Sequence, residues 1–283
     1  MSARSRPRSR HHPLLEASLL LGGMAFLLGL SGWIVAGGEG ALWILLAGAF
    51  SFVISGFGVP QLMLRIYRVR SLAAEDAPAL AADLAELCRR AGISRAPQLG
   101  YMSNPIPLAF TIGSGGAAMI VVSSGLLRLM NARELAGILA HEVSHISRGD
   151  LFIMRLATAI SHVTRMVAQL GIITVVINVS LHLLSLPKLP WLDVGILLAA
   201  PIAADLLQLA LSRTRESEAD LAAVRLTADP VGLAAALEKL DRAERTVWRR
   251  LFSHGRPLSV PSLLRTHPHA KDRIRRLLEA QPL

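Results

Sequence analysis

The motif His141-Glu-Val-Ser-His145 sets two imidazoles four residues apart and a carboxylate beside the first. Residues 131–140, just before it, read as a helix: Leu135, Ile138 and Leu139 mark an apolar face, Asn131 suits the N-cap, and Glu134 follows three residues later as in a capping box. On such a helix His141 and His145 stand one turn apart on the same face, so both can reach one ion. Zinc takes neutral imidazole nitrogens and lowers the pKa of the water it binds towards ~7. Glu142, itself no ligand, can face that water and accept its proton as general base. The plainer alternative is a helix with two histidines on a polar face, and the rest of the chain has to decide.

The elements that must hold such a site are mostly apolar. Of 283 residues, 52% are hydrophobic and only 18% charged, and the mean hydropathy is +0.47. Lipid must cover much of that surface. The net charge of +10 does not signal nucleic acid: aromatic residues are only 5%, and the arginines gather at the ends of apolar runs, where phospholipid headgroups lie. The single cysteine, Cys88, excludes an intrachain disulfide and any cysteine-rich zinc site, and reads as a small helix residue.

Residues 1–13 form a basic tail without an acid, expected to be disordered and cytoplasmic, with His11 and His12 solvated. Residues 14–36 are long enough to cross a ~30 Å core. Gly37-Gly-Glu-Gly40 then makes a tight turn, and residues 41–64 return to Arg65, Arg68 and Arg70. Basic residues at both outer ends make this a hairpin that begins and ends in the cytoplasm. Residues 166–184 and 194–211 form a second hairpin on the loop 185–190, with Trp191 at the interface and Arg213 and Arg215 at its basic, cytoplasmic end. Asp205 lies inside the fourth span, where a carboxylate needs a partner. Folding the hairpin on its loop brings it level with Arg155, His162 and Arg165, and a structural ion pair is expected.

Between the hairpins the pattern is that of a soluble domain. Residues 71–92 form an amphipathic helix on Leu80, Leu84 and Leu87, closed by Gly92. Residues 97–102 suit a short strand, and 108–112 and 118–122 flank Gly113-Ser-Gly-Gly116, a hairpin signal. An exposed strand edge here either holds an extended peptide by backbone hydrogen bonds or simply covers the histidine helix. That helix is expected to run past His145 into Leu151. Further on, Asp229-Pro230 opens a helix whose Leu233, Leu237 and Leu240 belong to the core.

Two histidines leave a catalytic zinc site one protein ligand short. Residues 212–220 are expected to begin a helix after the fourth span. Glu216 and Asp220 are four apart and share a face, while Glu218 projects elsewhere. Glu216 would be the third ligand, and Asp220 would fix the tautomer of a liganding histidine. Taken alone, the same acidic run also reads as a solvated face.

Five stretches together carry a resemblance: Ser123-Ser-Gly-Leu-Leu127, Glu134-Leu-Ala-Gly-Ile-Leu-Ala-His-Glu-Val-Ser-His145, Asp150, Arg215-Glu-Ser-Glu-Ala-Asp220 and Thr266-His-Pro-His-Ala-Lys-Asp-Arg-Ile274. Over essentially its whole length the chain resembles the HtpX-type membrane zinc metalloproteases, relatives of the integral-membrane CAAX prenyl proteases. The resemblance implies one Zn2+ per chain on His141, His145 and Glu216, with Glu142 catalytic. It implies a mainly α membrane protein: four transmembrane helices in two hairpins, and a cytoplasmic α+β gluzincin-like metalloprotease domain with a small β-hairpin or sheet. His267, in the family's His-Pro pair, is either a catalytic donor to the oxyanion or a structural cap. Arg273 matches the family's Arg-Ile and is expected to pair with an acid near the zinc. Two positions depart from the pattern: Leu108-Ala-Phe110 replaces the frequent Asn-Ala-Phe, and Gly149 replaces a basic residue.

The expected division is a tail (1–13), a first hairpin (14–66), a first catalytic part with the HExxH helix (67–150), a second hairpin (151–212) and a helical catalytic part with the third ligand (213–283). The expected function is a zinc endopeptidase of the cytoplasmic membrane, cutting misfolded or membrane-associated proteins, with active site and both termini in the cytoplasm. Its partners would be protein or peptide substrates and the lipid bilayer, and no motif sets an oligomeric state. A narrow-specificity processing protease and a non-enzymatic scaffold with a structural zinc are the alternatives; an intact Glu142 argues against the scaffold.

Overall fold

The computed structural model describes residues 13–113, 117–183, 190–254 and 270–279. In chain order the elements are α1 (Pro13–Ile66), β1 (Arg70–Ser71), α2 (Pro78–Arg90), β2 (Gln98–Met102), β3 (Ala109–Ile112), β4 (Met119–Ser123), α3 (Ser124–Leu129) and α4 (Ala132–Ser147). They continue with α5 (Asp150–Leu183), α6 (Trp191–Thr227), α7 (Pro230–His254) and α8 (Ala270–Glu279). Among the described residues, three stretches are long and apolar enough to cross a membrane: Leu14–Gly56, Asp150–Gln169 and Trp191–Thr227. The described chain divides into two compact units, Met1–Ala49 with Ile160–Leu211, and Phe50–Ala159 with Ser212–Leu283.

In the first unit α1 reverses on itself. Ala36 (φ −150, ψ 32) and Gly37 (φ 62, ψ −148) leave helical geometry, and the positive φ at Gly37 is one that a side chain resists. The reversal therefore falls at Ala36–Gly37, and Gly38 to Gly40, expected in the turn, are already helical. Small residues let the two legs close. A Cβ on Gly40 would lie 2.3 Å from the carbonyl oxygen of Gly32, and one on Gly48 would lie 3.0 Å from Leu28 Cδ2. Phe26, Trp33, Leu42 and Trp43 point outward and exposed, as a lipid-facing surface requires. In the same unit Arg165 of α5 donates to Asp205 of α6 at 2.7 Å. Of the three candidate partners, Arg165 is the one Asp205 meets.

The second unit is built on a mixed sheet of order β1-β2-β4-β3. β4 runs parallel to β2 and antiparallel to β3, with Ala109 opposite Val122 and Ile112 opposite Met119. Ile120, Val121 and Val122 are fully buried, each contributing roughly 1.5–3 kcal/mol by removal from water. One face of the sheet meets Ile138, Leu139 and Val143 of α4, backed by Leu80, Leu84 and Leu87 of α2. The other face covers Met102, Leu108 and Val121 with Leu64, Tyr67 and Phe110. The Asn131 capping box forms: Asn131 Oδ1 accepts from Glu134 N, and Glu134 Oε2 from Asn131 N, both at 2.9 Å. Gly137 lets α4 lie on α7, since a Cβ there would sit 3.1 Å from Leu233 Cα.

Two expectations about helix limits are corrected. The histidine helix does not run into Leu151; it stops at Ser147, Gly149 takes φ 69, and α5 starts anew at Asp150. Glycine accepts that left-handed geometry, which turns Asp150 back towards α4. Conversely, no helix begins at Ser212, because α6 is continuous from Trp191 to Thr227 and residues 212–220 contain neither Gly nor Pro to break it. The basic tail, the glycines 115–116, the loop 185–189, His267 and His269 lie outside the described residues.

Candidate metal centre

α4 and α6 bring three donors together. His141 Nε2 and His145 Nε2 lie 3.1 Å apart, and Glu216 places Oε2 3.5 Å from the first and Oε1 3.6 Å from the second. The edge of a tetrahedron around a zinc ion with ~2.05 Å bonds is about 3.3 Å, close to the spacing of the two imidazole nitrogens and of each from a carboxylate oxygen. One ligand atom from each of the three residues lies within 4.8 Å of the others, as a shared ion requires. Each imidazole keeps its other nitrogen for a carboxylate: His141 Nδ1 is 3.0 Å from Asp220 Oδ1, and His145 Nδ1 is 3.0 Å from Asp150 Oδ2. Carboxylates there fix the ring orientation and leave both Nε2 atoms to the ion.

Cations surround this shell in turn. Arg273 of α8 donates Nε to Asp220 Oδ2 and Nη2 to Asp220 Oδ1, both at 2.7 Å, and brings Nη1 within 3.0 Å of Glu216 Oε2. Arg215, with a side chain only 2% exposed, reaches Asp150 Oδ1 at 3.3 Å and Glu218 Oε2 at 3.4 Å. Arg148 also pairs with Glu218. Buried carboxylates demand such partners.

The electrostatics follow. At Asp220 burial works against the charged form, but the adjacent Arg273 outweighs it and holds the pKa below the usual carboxylate range. Burial presses the ring of His145 towards neutrality, yet hydrogen bonding to Asp150 and then to Glu216 prevails and lifts its pKa to about 10. His141 is raised for the same reason, by Asp220 and Glu216 against burial. The donor set is thus negative enough to hold a cation, whether protons or a divalent metal.

Glu142 follows His141 directly in the chain and is not one of the three grouped donors. Thr111 of β3 donates its hydroxyl to Glu142 Oε2 at 2.6 Å. β3 is an end strand of the sheet. Leu108 O accepts from Ser123 N at 2.9 Å, so by the alternation of an antiparallel ladder the backbone groups of Ala109 and Thr111 face away from β4, to an edge that is open among the described residues.

The profile of Peptidase family M48 matches residues 74–281. The chain belongs to that family. Similar proteins include the "Protease HtpX homolog" of Persephonella marina, 32% identical across 94% of this chain and 96% of that one. That of Pelotomaculum thermopropionicum is 33% identical across 93% and 97%, and that of Pyrococcus abyssi 32% across 90% and 92%. Among solved structures, S. mikatae Ste24p is similar in fold, with TM-score 0.51 and 17% identity; the match spans 94% of this chain and 64% of that one. The chain is therefore a multi-pass membrane metalloprotease of the HtpX type, with His141, His145 and Glu216 as its M48 metal site. A non-enzymatic scaffold is set aside on the same ground.

The sequence reading paired Asp220 with a histidine and Arg273 with a nearby acid, and the distances agree. It read Arg215 with Arg213 only as the basic end of the fourth span, whereas Arg215 is buried among acids, and it assigned no role to Asp150 or Thr111. For Asp150 the signal was available: an acid five residues after His145, past a glycine able to reverse the chain.

Proposed function

We propose that this M48 protease cuts misfolded or membrane-associated polypeptides in the cytoplasm, with Glu142 as general base. The observation that carries the reading is the position of Glu142, adjacent in sequence to a metal ligand and hydrogen-bonded to the strand whose edge is open. Zinc, when bound by His141, His145 and Glu216, supplies Lewis acidity towards a carbonyl and towards water. Asp150 and Asp220 hold the two rings in register, and Arg273 keeps Asp220 ionised and pairs with Glu216. Ala109 and Thr111 offer backbone N–H and C=O groups to an extended substrate, which fixes the direction in which a peptide carbonyl enters. Glu142 takes a proton from the attacking water and returns it to the leaving amine.

A general, unfolded substrate suits this edge, because backbone pairing reads extended conformation rather than sequence. Four crossings in two hairpins suit the reversal within α1 and the long helices α5 and α6. Arginines at residues 65, 68, 70 and 213 support a cytoplasmic side for the catalytic parts, 67–150 and 213–283, and for both termini. His267 remains proposed as an oxyanion donor.

The test compares wild type with Glu142→Gln, purified in detergent without chelator, for zinc content and cleavage of an unfolded protein. Zinc in both and cleavage in wild type alone is expected. Equal cleavage by both rejects Glu142 as base. Zinc in both with cleavage in neither favours a narrow-specificity processing protease.

A further inference from the structure

We infer that Thr111 is a positioning residue that couples substrate pairing on β3 to the orientation of Glu142, an inference that rests on the reading of Glu142 as base. Its two halves face different partners. The main chain of Thr111 lies on the open edge, where an extended peptide would pair, and its side chain crosses to α4 and donates to Glu142 Oε2 at 2.6 Å. Among the described residues, Thr111 is the one hydrogen-bond partner of that carboxylate. Glu142 is half-buried and follows a ligand on a rigid helix, but its side chain has rotatable bonds of its own.

The hydroxyl removes that freedom. It occupies Oε2 and leaves Oε1 as the oxygen that takes the proton from water and later gives it to the leaving nitrogen. Throughout the cycle Thr111 keeps its own proton, so no charge accumulates on the strand. A peptide that straightens β3 on pairing also fixes the hydroxyl, and through it the base. The chain thereby aligns carbonyl and carboxylate from a single residue.

Thr→Val keeps the branched shape that suits a strand and deletes the donor. The experiment measures kcat and KM of wild type, Thr111→Val, Thr111→Ser and Glu142→Gln in detergent, with zinc content determined for each. The substrate is a quenched fluorogenic peptide copied from a bond that the wild type cuts in denatured casein. A misplaced catalytic group costs on the order of 10–100-fold in rate. Thr111→Val should therefore lose kcat by about 10–100-fold at unchanged KM and zinc content, and Thr111→Ser should return kcat to within about threefold. If the Val variant loses zinc, Thr111→Ala is read in its place. A Val variant with wild-type kcat overturns the inference, as does a Ser variant as slow as Val. Full activity of Glu142→Gln overturns instead the reading beneath it.

Discussion

Arg273 of α8 meets Asp220 of α6 in a two-pronged pair, Nε to Oδ2 and Nη2 to Oδ1, both at 2.7 Å. The same guanidinium extends Nη1 to Glu216, so one side chain from α8 braces both a metal ligand and the partner of another. All three residues are buried. Removing the cation takes the guanidinium from two buried carboxylates that then face the imidazoles without it, and breaking a buried charge network of this kind costs about 3–5 kcal/mol. Arg273→Ala should therefore lower the thermal stability of the detergent-solubilised protein and weaken zinc binding by about 10–100-fold. Arg273→Lys keeps charge but loses the fork and should fall between. Chelator competition and scanning calorimetry read the two effects. An Ala variant with wild-type zinc affinity would refute the brace.

Asp150→Asn addresses the other ring. Its amide is no longer an obligate acceptor for His145 Nδ1–H, and Arg215 loses one of its two carboxylate partners, keeping Glu218. Zinc affinity should drop about 10–100-fold, with Glu142 untouched, so that saturating zinc restores most of the activity. Activity that stays lost at saturating zinc would contradict a purely orienting role.

The pH dependence follows from the raised imidazoles. In the metal-free protein His145 titrates at about 10, above its unfolded value of about 6.5. Its pairing with Asp150 and Glu216 thus supports the fold fully below about pH 6.5 and is lost as pH rises through about 10. The melting temperature of the zinc-free protein should fall across that window, and that of the zinc-loaded protein should fall less. Zinc must displace protons from these rings. Calorimetric zinc titrations at pH 7.5 in buffers of different ionisation enthalpy should show net proton release.

Asp205 and Arg165 are both partly exposed in the first unit, at 41% and 56% of their side chains. Their coupling should be small, about 0.5–2 kcal/mol, as for other polar contacts between membrane helices. Asp205→Asn and Arg165→Gln should each destabilise the protein in lipid nanodiscs, and the double variant should lose less than the sum. Strict additivity would mean that the pair carries no energy.

What could be read from the sequence was whatever depends on spacing along one helix. The capping box at Asn131 and Glu134, the shared face of His141 and His145, and the four-residue step from Glu216 to Asp220 are local and periodic. Alternation and turn glycines likewise gave the β3–β4 pairing. Contacts set by tertiary approach were not legible. No pattern tells which strand side chain crosses to α4, and so Thr111 passed unnoticed. A two-residue strand such as β1 is too short to show a period. At α6 the change from apolar to acidic composition suggested a new start, yet composition alters the solvent a helix meets and not its hydrogen bonding.

The reversal in α1 has an outcome for how this protein presents itself beyond the bilayer. Only Ala36 and Gly37 leave helical geometry, and the legs touch again between Gly32 and Gly40. That hairpin has no loop to offer on the side where it turns. Shaving proteases, antibodies and membrane-impermeant labels would find scarcely anything there to grip, and a tag inserted at the turn would force apart legs held in contact by hydrogen-sized side chains.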